Sequence, residues 1–158
     1  MLEVCFHGNL CNKLKMFRNE SNIKIGDPIE FPDYLPVGKI SPYDSASRLS
    51  ELTKNGLEFN PCFIRDNESF KKEFLKHTKY RFWISKYNND ILGLCYVSSL
   101  IPNQKILVCS TEKIPSLHNI STYQITENSQ IELLLKNQFI CDSTYYKNIW
   151  LKLQKENT

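Results

Sequence analysis

The chemistry that this sequence offers begins at its first turn, where the stretch VCFHGNLCNKL, residues 4 to 14, places His7, Gly8 and Asn9 between a short apolar segment and a helical pattern. A glycine turn leading from a strand into a helix can present backbone N–H groups and the helix dipole to an anion. The turn lacks the longer glycine-rich pattern that would make a phosphate site specific. Two interpretations stay open, because Asn9 can bind a ligand or simply cap the helix.

Three later residues are candidates to complete a ligand site at the same turn, namely Asp44, Arg48 and Asp90. A guanidinium such as that of Arg48 pairs well with a phosphate group, and a carboxylate can handle a proton or a metal ion. His7 and Cys11 also offer an imidazole and a thiol four positions apart. A thiol nucleophile needs a third group that orients its base, and the sequence identifies none.

The proline-rich segment at about 24–44 is a second candidate site, predicted to be an irregular loop because it holds four of the chain's seven prolines. It also carries acids and aromatic rings, and exposed aromatic residues beside charges are typical of protein-binding hot spots. The residues assigned to this predicted partner surface are Asp27, Glu30, Phe31, Asp33, Tyr34 and Tyr43. A solvated loop without a partner is the alternative.

The composition is that of a soluble globular protein, with 158 residues, 41% hydrophobic and 23% charged. The net charge of +3 comes from 20 basic and 17 acidic residues, a balance that argues against nucleic acid as a partner. The longest mostly apolar stretch, residues 90–101, is far shorter than the roughly 20 residues of a membrane span. No secretory signal is predicted, so we expect a cytoplasmic protein with no membrane partner.

The six cysteines are predicted to be free, and most of them buried. No two have the C-x-x-C spacing, and none has a histidine at zinc spacing. Five of the six lie beside apolar residues, and free cysteine is among the most buried residue types. We therefore expect a protein without a metal site and without a cofactor.

The hydrophobic pattern alternates between strand and helix, which predicts a single α/β domain over residues 1–158. We expect a mostly parallel, Rossmann-like sheet of about four strands flanked by helices, with a helical C-terminal part at 129–156. The predicted strands are 2–7, 28–31, 80–85 and 105–110, and the predicted helices before the C-terminal part are 9–19, 45–56, 67–78 and 91–101.

Several helix starts are predicted from capping residues. Asp44 or Ser45 is expected to cap the second helix, with Gly56 at its end. The polar run at 88–90 is expected to cap the buried helix that follows, and Ser129 with Glu132 has the spacing of a capping box.

Short motifs follow the same order as in a known bacterial family. They are the VCFHGNLCNKL turn, VGKI at 37–40, Arg48, WISKYNNDILGL at 83–94 and IWLKLQKEN at 149–157. In this order the chain resembles the family catalogued as domain of unknown function 1835. Members carry G-D-S in the first turn and E-Q before the glycine of a later helix, where this chain has Gly8-Asn9-Leu10 and Asp90-Ile91. The resemblance implies the family scaffold with a reduced set of polar site residues.

Two functions follow from these observations. The first is a non-enzymatic cytoplasmic protein that binds another protein, most concretely an immunity or antitoxin protein that neutralises a cognate toxin through the acidic and aromatic loop. The alternative is an enzyme or nucleotide-binding domain that uses the turn at His7 to Asn9, with Asp44, Arg48 and Asp90 approaching from later loops.

Overall fold

Five strands form one sheet in the computed structural model, which describes residues 1–36, 38–41, 43–57 and 62–157. The strands are β1 (Leu2–Cys5), β2 (Asp27–Glu30), β3 (Tyr80–Ile84), β4 (Lys105–Ser110) and β5 (Phe139–Asp142). The helices are α1 (Gly8–Glu20), α2 (Ser45–Lys54), α3 (Phe63–Phe74), α4 (Asn88–Ser99), α5 (Asn128–Lys136) and α6 (Ser143–Glu156). Short 3-10 helices lie at Thr111–Lys113, Pro115–Leu117 and Thr122–Gln124.

The strand order is β2-β1-β3-β4-β5, with the first four strands parallel and β5 antiparallel to β4. The predicted α/β class with a mostly parallel sheet flanked by helices is therefore confirmed. The count of about four strands missed β5. This strand has only four residues and lies at an edge, and Ile140 at its centre is 67% exposed, so its sequence lacks the continuous apolar run of a central strand.

Side chains that alternate along the central strands build a separate apolar cluster on each face of the sheet. Val4 and Phe82 belong to the cluster that α3, α4 and α6 cover, while Cys5 and Trp83 belong to the cluster beneath α1 and α5. Both rows of side chains are buried, because helices cover both faces of a parallel sheet.

Three predicted helix starts differ from the structure. Helix α3 begins at Phe63, ahead of the predicted start at Asn67 or Ser69. Helix α4 has Tyr87 as its N-cap, and at α5 the reciprocal capping pair is Glu127 with Gln130. Capping residues are common in polar loops, and local spacing alone does not decide which of them the chain uses.

Cys5, Cys11, Cys95 and Cys109 are buried thiols, and Cys62 and Cys141 are half-buried. Burial raises the pKa of Cys95 and of Cys109 to about 12, which keeps these thiols protonated and unreactive at neutral pH. Within the described ranges, no helix has the length and apolar character needed to cross a bilayer.

Candidate functional site

A crevice opens at the carboxyl ends of the parallel strands, between β1 and β3. Strand β2 pairs with one edge of β1, and β3 pairs with the other edge. Such a reversal of strand order separates the loops that follow the two central strands, and open α/β sheets bind their ligands in the space between those loops. The turn after β1 contains His7, and the turn after β3 contains Ser85 and Lys86.

The crevice has a volume of about 600 Å³ and a mixed polar and aromatic lining. Its walls include His7, Lys86 and Asn89, together with three tyrosine side chains. Those tyrosines are strongly exposed: Tyr34 at 46%, Tyr87 at 45% and Tyr123 at 50%. Aromatic rings left open to solvent beside polar groups provide faces on which a planar ligand can stack.

Asp90 lies behind the crevice lining, between the lining residues His7 and Asn89, and is held by several hydrogen bonds. Its carboxylate is fully buried, and its Oδ2 accepts hydrogen bonds from the Ser85 backbone N–H and the Ser85 hydroxyl, each at 2.8 Å. The Thr122 hydroxyl donates to the same oxygen at 3.0 Å. Asp90 therefore joins the end of β3, the first turn of α4 and the last 3-10 helix into one rigid base.

The other oxygen of Asp90 faces His7. Asp90 Oδ1 lies 3.4 Å from His7 Nε2, and the histidine side chain is 28% exposed. His7 also meets the Tyr123 ring edge to face, with the ring centroids 5.7 Å apart. Two of the candidate ligand-binding residues, His7 and Asp90, are thus brought together, and the more exposed of the pair lines the crevice.

Asn89 is held beside this pair by a contact with Phe6, the residue that follows β1. Its Nδ2 donates to the Phe6 carbonyl at 3.1 Å, while its buried Oδ1 has no hydrogen-bond partner among the described residues. The close approach of α4 to the end of β1 depends on Gly93, since a Cβ there would lie 2.3 Å from the Phe6 ring. An unsatisfied buried acceptor is uncommon in a folded protein and is a recurrent feature of functional sites.

The turn at His7 to Asn9 differs in detail from the prediction. The N-cap of α1 is His7 and not Asn9, since Gly8 and Asn9 are already helical. Asn9 is exposed and lies in a neighbouring groove with Lys13 and Tyr123. Gly8 packs against the Glu30 carboxylate, so close that a Cβ at Gly8 would lie 3.0 Å from Glu30 Oε2.

Asp44 and Arg48, the other two candidate ligand-binding residues, have structural roles in the part of the chain that is described. Asp44 caps α2 by accepting from the Ser47 N–H at 2.9 Å, as predicted, and these hydrogen bonds lower its pKa. Arg48 is fully buried and forms an ion pair with Asp33 at 2.9 Å. Neither residue lines the crevice.

The predicted partner surface is divided between the protein surface and its interior. Asp27, Glu30 and Tyr34 are exposed. The prediction that Phe31 and Asp33 are exposed is wrong, because Phe31 is 2% exposed within the aromatic core and Asp33 is 3% exposed. Their burial follows from their neighbours, since Phe31 packs edge to face against the core rings of Phe6 and Phe70 and Asp33 forms an ion pair with Arg48.

Tyr43 belongs to the same internal network and is half-buried. Its hydroxyl donates to Asp33 Oδ2 at 2.8 Å. Burial, with the nearby Asp33 charge as the second cause, raises the pKa of Tyr43 well above its ordinary value. The tyrosine therefore stays neutral and serves as a fixed donor.

Several residues of the crevice were not identified from the sequence. Ser85 and Thr122 position Asp90, and Tyr87 and Tyr123 form the walls. Ser85 has a signal that points to it, because it ends the predicted strand 80–85 and polar residues at strand ends meet at one edge of a parallel sheet. Thr122 and Tyr123 lie in a 3-10 segment whose position follows from packing alone.

The described residues contain no cluster of three or more histidine, cysteine or acidic side chains able to hold a metal ion. Comparison with protein-family models, with curated proteins and with solved structures found no match to the chain. The geometry of the crevice is therefore the observation from which a function is argued.

Proposed function

We propose that the protein binds a small, planar, polar ligand, of the size and character of a nucleoside or mononucleotide, in the crevice between β1 and β3. The observation that carries this proposal is the crevice itself, which is lined by polar side chains and by three exposed tyrosines. Ligand pockets of proteins commonly have volumes of about 300–1,000 Å³ and combine apolar walls with a few fixed polar groups.

The chemistry of the walls favours a ring with polar substituents. The tyrosine rings supply stacking faces, and the groups available for hydrogen bonding include the His7 ring and the Lys86 ammonium. Lys86 is exposed, and its Nζ lies 3.0 Å from Asn119 Oδ1. It can turn toward a ligand anion at little cost, because an exposed hydrogen bond of this kind contributes little to stability.

A thermal-shift screen with nucleosides, mononucleotides and aromatic amino acids tests the proposal. A ligand present at about 100 times its Kd stabilises the folded state by about 2.7 kcal/mol, which raises the melting temperature of a chain of this length by about 5 °C or more. Isothermal titration calorimetry then gives the stoichiometry, which we expect to be one.

Two matched variants locate the site. Tyr123→Ala removes a crevice wall, whereas Tyr145→Ala removes a tyrosine of similar exposure on α6, outside the crevice lining. We expect Tyr123→Ala to weaken binding about tenfold, the value of a lost stacking contact, and Tyr145→Ala to leave it unchanged. A flat screen with the wild type, or equal losses in the two variants, contradicts the proposal.

A second candidate function is the binding of another protein, with an immunity or antitoxin role as its concrete form. It is supported by the exposed residues Asp27, Glu30 and Tyr34, of which Tyr34 also lines the crevice. Exposed tyrosine beside acidic side chains suits a basic partner surface. This form of the proposal places the protein in the cytoplasm and makes no use of catalysis.

Co-expression tests this second candidate. The chain is expressed with the product of the gene beside its own, and complex formation, cell survival and the effect of Tyr34→Ala are measured. A toxin neutralised by the wild type at nanomolar affinity, and less well by Tyr34→Ala, is the expected result. The absence of both a complex and protection would overturn it.

A further inference from the structure

The pair formed by His7 and Asp90 has an arrangement suited to more than binding. Asp90 is fully buried, and three donors hold its Oδ2, so its Oδ1 is left to face His7 Nε2 at 3.4 Å. This contact does not have hydrogen-bond geometry, and Asp90 Oδ1 is a buried acceptor without a hydrogen-bond partner among the described residues. Catalytic acid–base pairs often tighten only when a ligand is bound. The histidine is partly exposed on the crevice wall, while the carboxylate behind it is closed to solvent.

This arrangement selects one form of the histidine ring. A carboxylate that faces Nε2 stabilises the proton on that nitrogen, which leaves Nδ1 as the nitrogen with an available lone pair. A buried acid that fixes the tautomer of a histidine is the recurring way to orient a general base. The groups that face His7 from other elements are Asp90 on α4, Glu30 on β2 and Tyr123 on the last 3-10 helix.

We infer that the crevice is an acid–base centre in which His7 Nδ1 accepts a proton and Asp90 positions the ring. The inference rests on the proposed function, because the reacting molecule must occupy the same crevice. The substrate class is a planar, polar compound that carries a carbonyl group with a good leaving group, and water attacks the carbonyl carbon. Lys86 and the N-terminal turn of α4 also line the crevice, and both favour negative charge that develops on a carbonyl oxygen placed beside them.

The step balances with p-nitrophenyl acetate as the probe. A water oxygen bonds to the acetyl carbon while one of its protons moves to His7 Nδ1. The carbon–oxygen bond to the leaving group then breaks, and p-nitrophenolate departs with the electron pair. His7 returns its proton to solvent, so ester and water become acetate, p-nitrophenolate and two protons.

Hydrolysis of p-nitrophenyl acetate by purified variants tests the inference. We expect His7→Gln to lower kcat/KM about a hundredfold, the lower end of what a general base supplies. Asp90→Asn should lower it about tenfold, as for other groups that orient a functional side chain. His77→Gln is the matched control, since the His77 ring pairs with Glu73 near the end of α3 and does not line the crevice, and it should leave the rate unchanged.

Two further measurements separate proton transfer from a purely structural role. The rate of the wild type should fall in D2O, because a proton moves in the slow step. Added imidazole should restore hydrolysis by His7→Ala, because the missing ring leaves space beside Asp90. The rate of His77→Ala should rise by no more than free imidazole adds in the absence of protein. Circular dichroism shows whether each variant is folded.

Equal rates in wild type and His7→Gln, or the absence of imidazole rescue, would overturn the inference. The thermal-shift screen distinguishes this outcome from failure of the proposed function. A ligand that stabilises both wild type and His7→Gln, with no dependence of hydrolysis on His7, leaves binding in place without catalysis. If hydrolysis depends on His7 but no ligand of the screen stabilises the protein, the proposed ligand class is wrong while the catalytic role of His7 stands.

Discussion

Asp33 and Asp90 are both buried carboxylates that follow a β-strand and its turn, yet their surroundings are opposite. Asp33 is enclosed by Arg48 Nε at 2.9 Å, Arg48 Nη2 at 3.1 Å and the Tyr43 hydroxyl at 2.8 Å. Asp90 has three donors on one oxygen and a partly exposed histidine at the other. The difference lies in how far a ligand could reach the partner of each carboxylate. The partner of Asp33 is Arg48, which is fully buried, whereas the residue that faces Asp90 is His7, which lines the crevice.

The comparison also brings out the structural role of Arg48. Arg48 donates to the Lys39 and Tyr34 carbonyls as well as to Asp33, at 2.6 and 3.1 Å from those carbonyl oxygens. These contacts fasten the segment after β2 onto α2, so the charged pair organises an irregular stretch of backbone. A fork of five donors is well suited to this purpose.

Arg48→Met should have the largest effect on stability. The change leaves the Asp33 carboxylate buried without its cation, which typically costs about 3–5 kcal/mol. Urea unfolding followed by circular dichroism measures the free energy of unfolding. Arg65→Met is the control, because Arg65 is 74% exposed in its ion pair with Asp66 and should cost less than about 1 kcal/mol. Equal losses of unfolding free energy in the two variants would contradict the contrast between the buried ion pair of Asp33 and an exposed ion pair.

Asp90→Asn should have a smaller effect on stability than Arg48→Met. An amide keeps the shape of the side chain and one acceptor oxygen, so the loss is that of weakened charge-assisted hydrogen bonds, about 1.5–3 kcal/mol. The same urea experiment measures it, and Thr122→Val, which removes a single donor, should cost about 1 kcal/mol. A free energy of unfolding unchanged in Asp90→Asn would show that the base of the crevice does not depend on this charge.

Glu30 provides the smallest predicted effect and one that depends on pH. The residue as a whole is exposed, but its carboxyl group packs against Gly8 and is partly desolvated, which raises the pKa of Glu30, although the nearby His7 and Lys15 act to lower it. The folded chain therefore holds this proton more tightly than the unfolded chain, so this group's contribution to stability falls as pH rises through its two pKa values. We expect Glu30→Gln to be more favourable to stability at pH 7 than at pH 3, relative to wild type.

Urea midpoints measured for wild type and Glu30→Gln across this pH range check the direction. Asp142→Asn is the contrasting control, since hydrogen bonds from Thr144 lower the pKa of Asp142. That carboxylate stabilises the fold above its unfolded pKa, and the contribution is lost as pH falls. The two variants should therefore change with pH in opposite directions.

The fold class followed from the sequence because strand and helix periodicities alternate clearly along the chain. The apolar runs at β3 and β4 and the amphipathic helices need only local pattern to be identified. The edge strand β5 escaped detection because it is short and half-exposed. The predicted membership of family 1835 stays a prediction, as do the partner and the location.

The candidate site was predictable only in part. His7 and Asp90 follow or open elements at the carboxyl edge of the sheet, a position that the strand order makes functional. Phe31 and Asp33 were misplaced because an acidic, aromatic and proline-rich sequence is equally compatible with a surface loop and with a segment folded into the core. Only the long-range contacts with Arg48 and Phe70 decide between the two.

The position of β1 in the sheet has a consequence for how the chain folds. Leu2 pairs with Asp27 on one side and with Tyr80 on the other, so the second neighbour of β1 is supplied only when synthesis has reached Tyr80. Until then one edge of this apolar strand is unpaired, and such edges invite association with other chains. The pairing of β1 with β3 also closes the longest loop between neighbouring strands of the sheet, and closure of so long a loop slows folding.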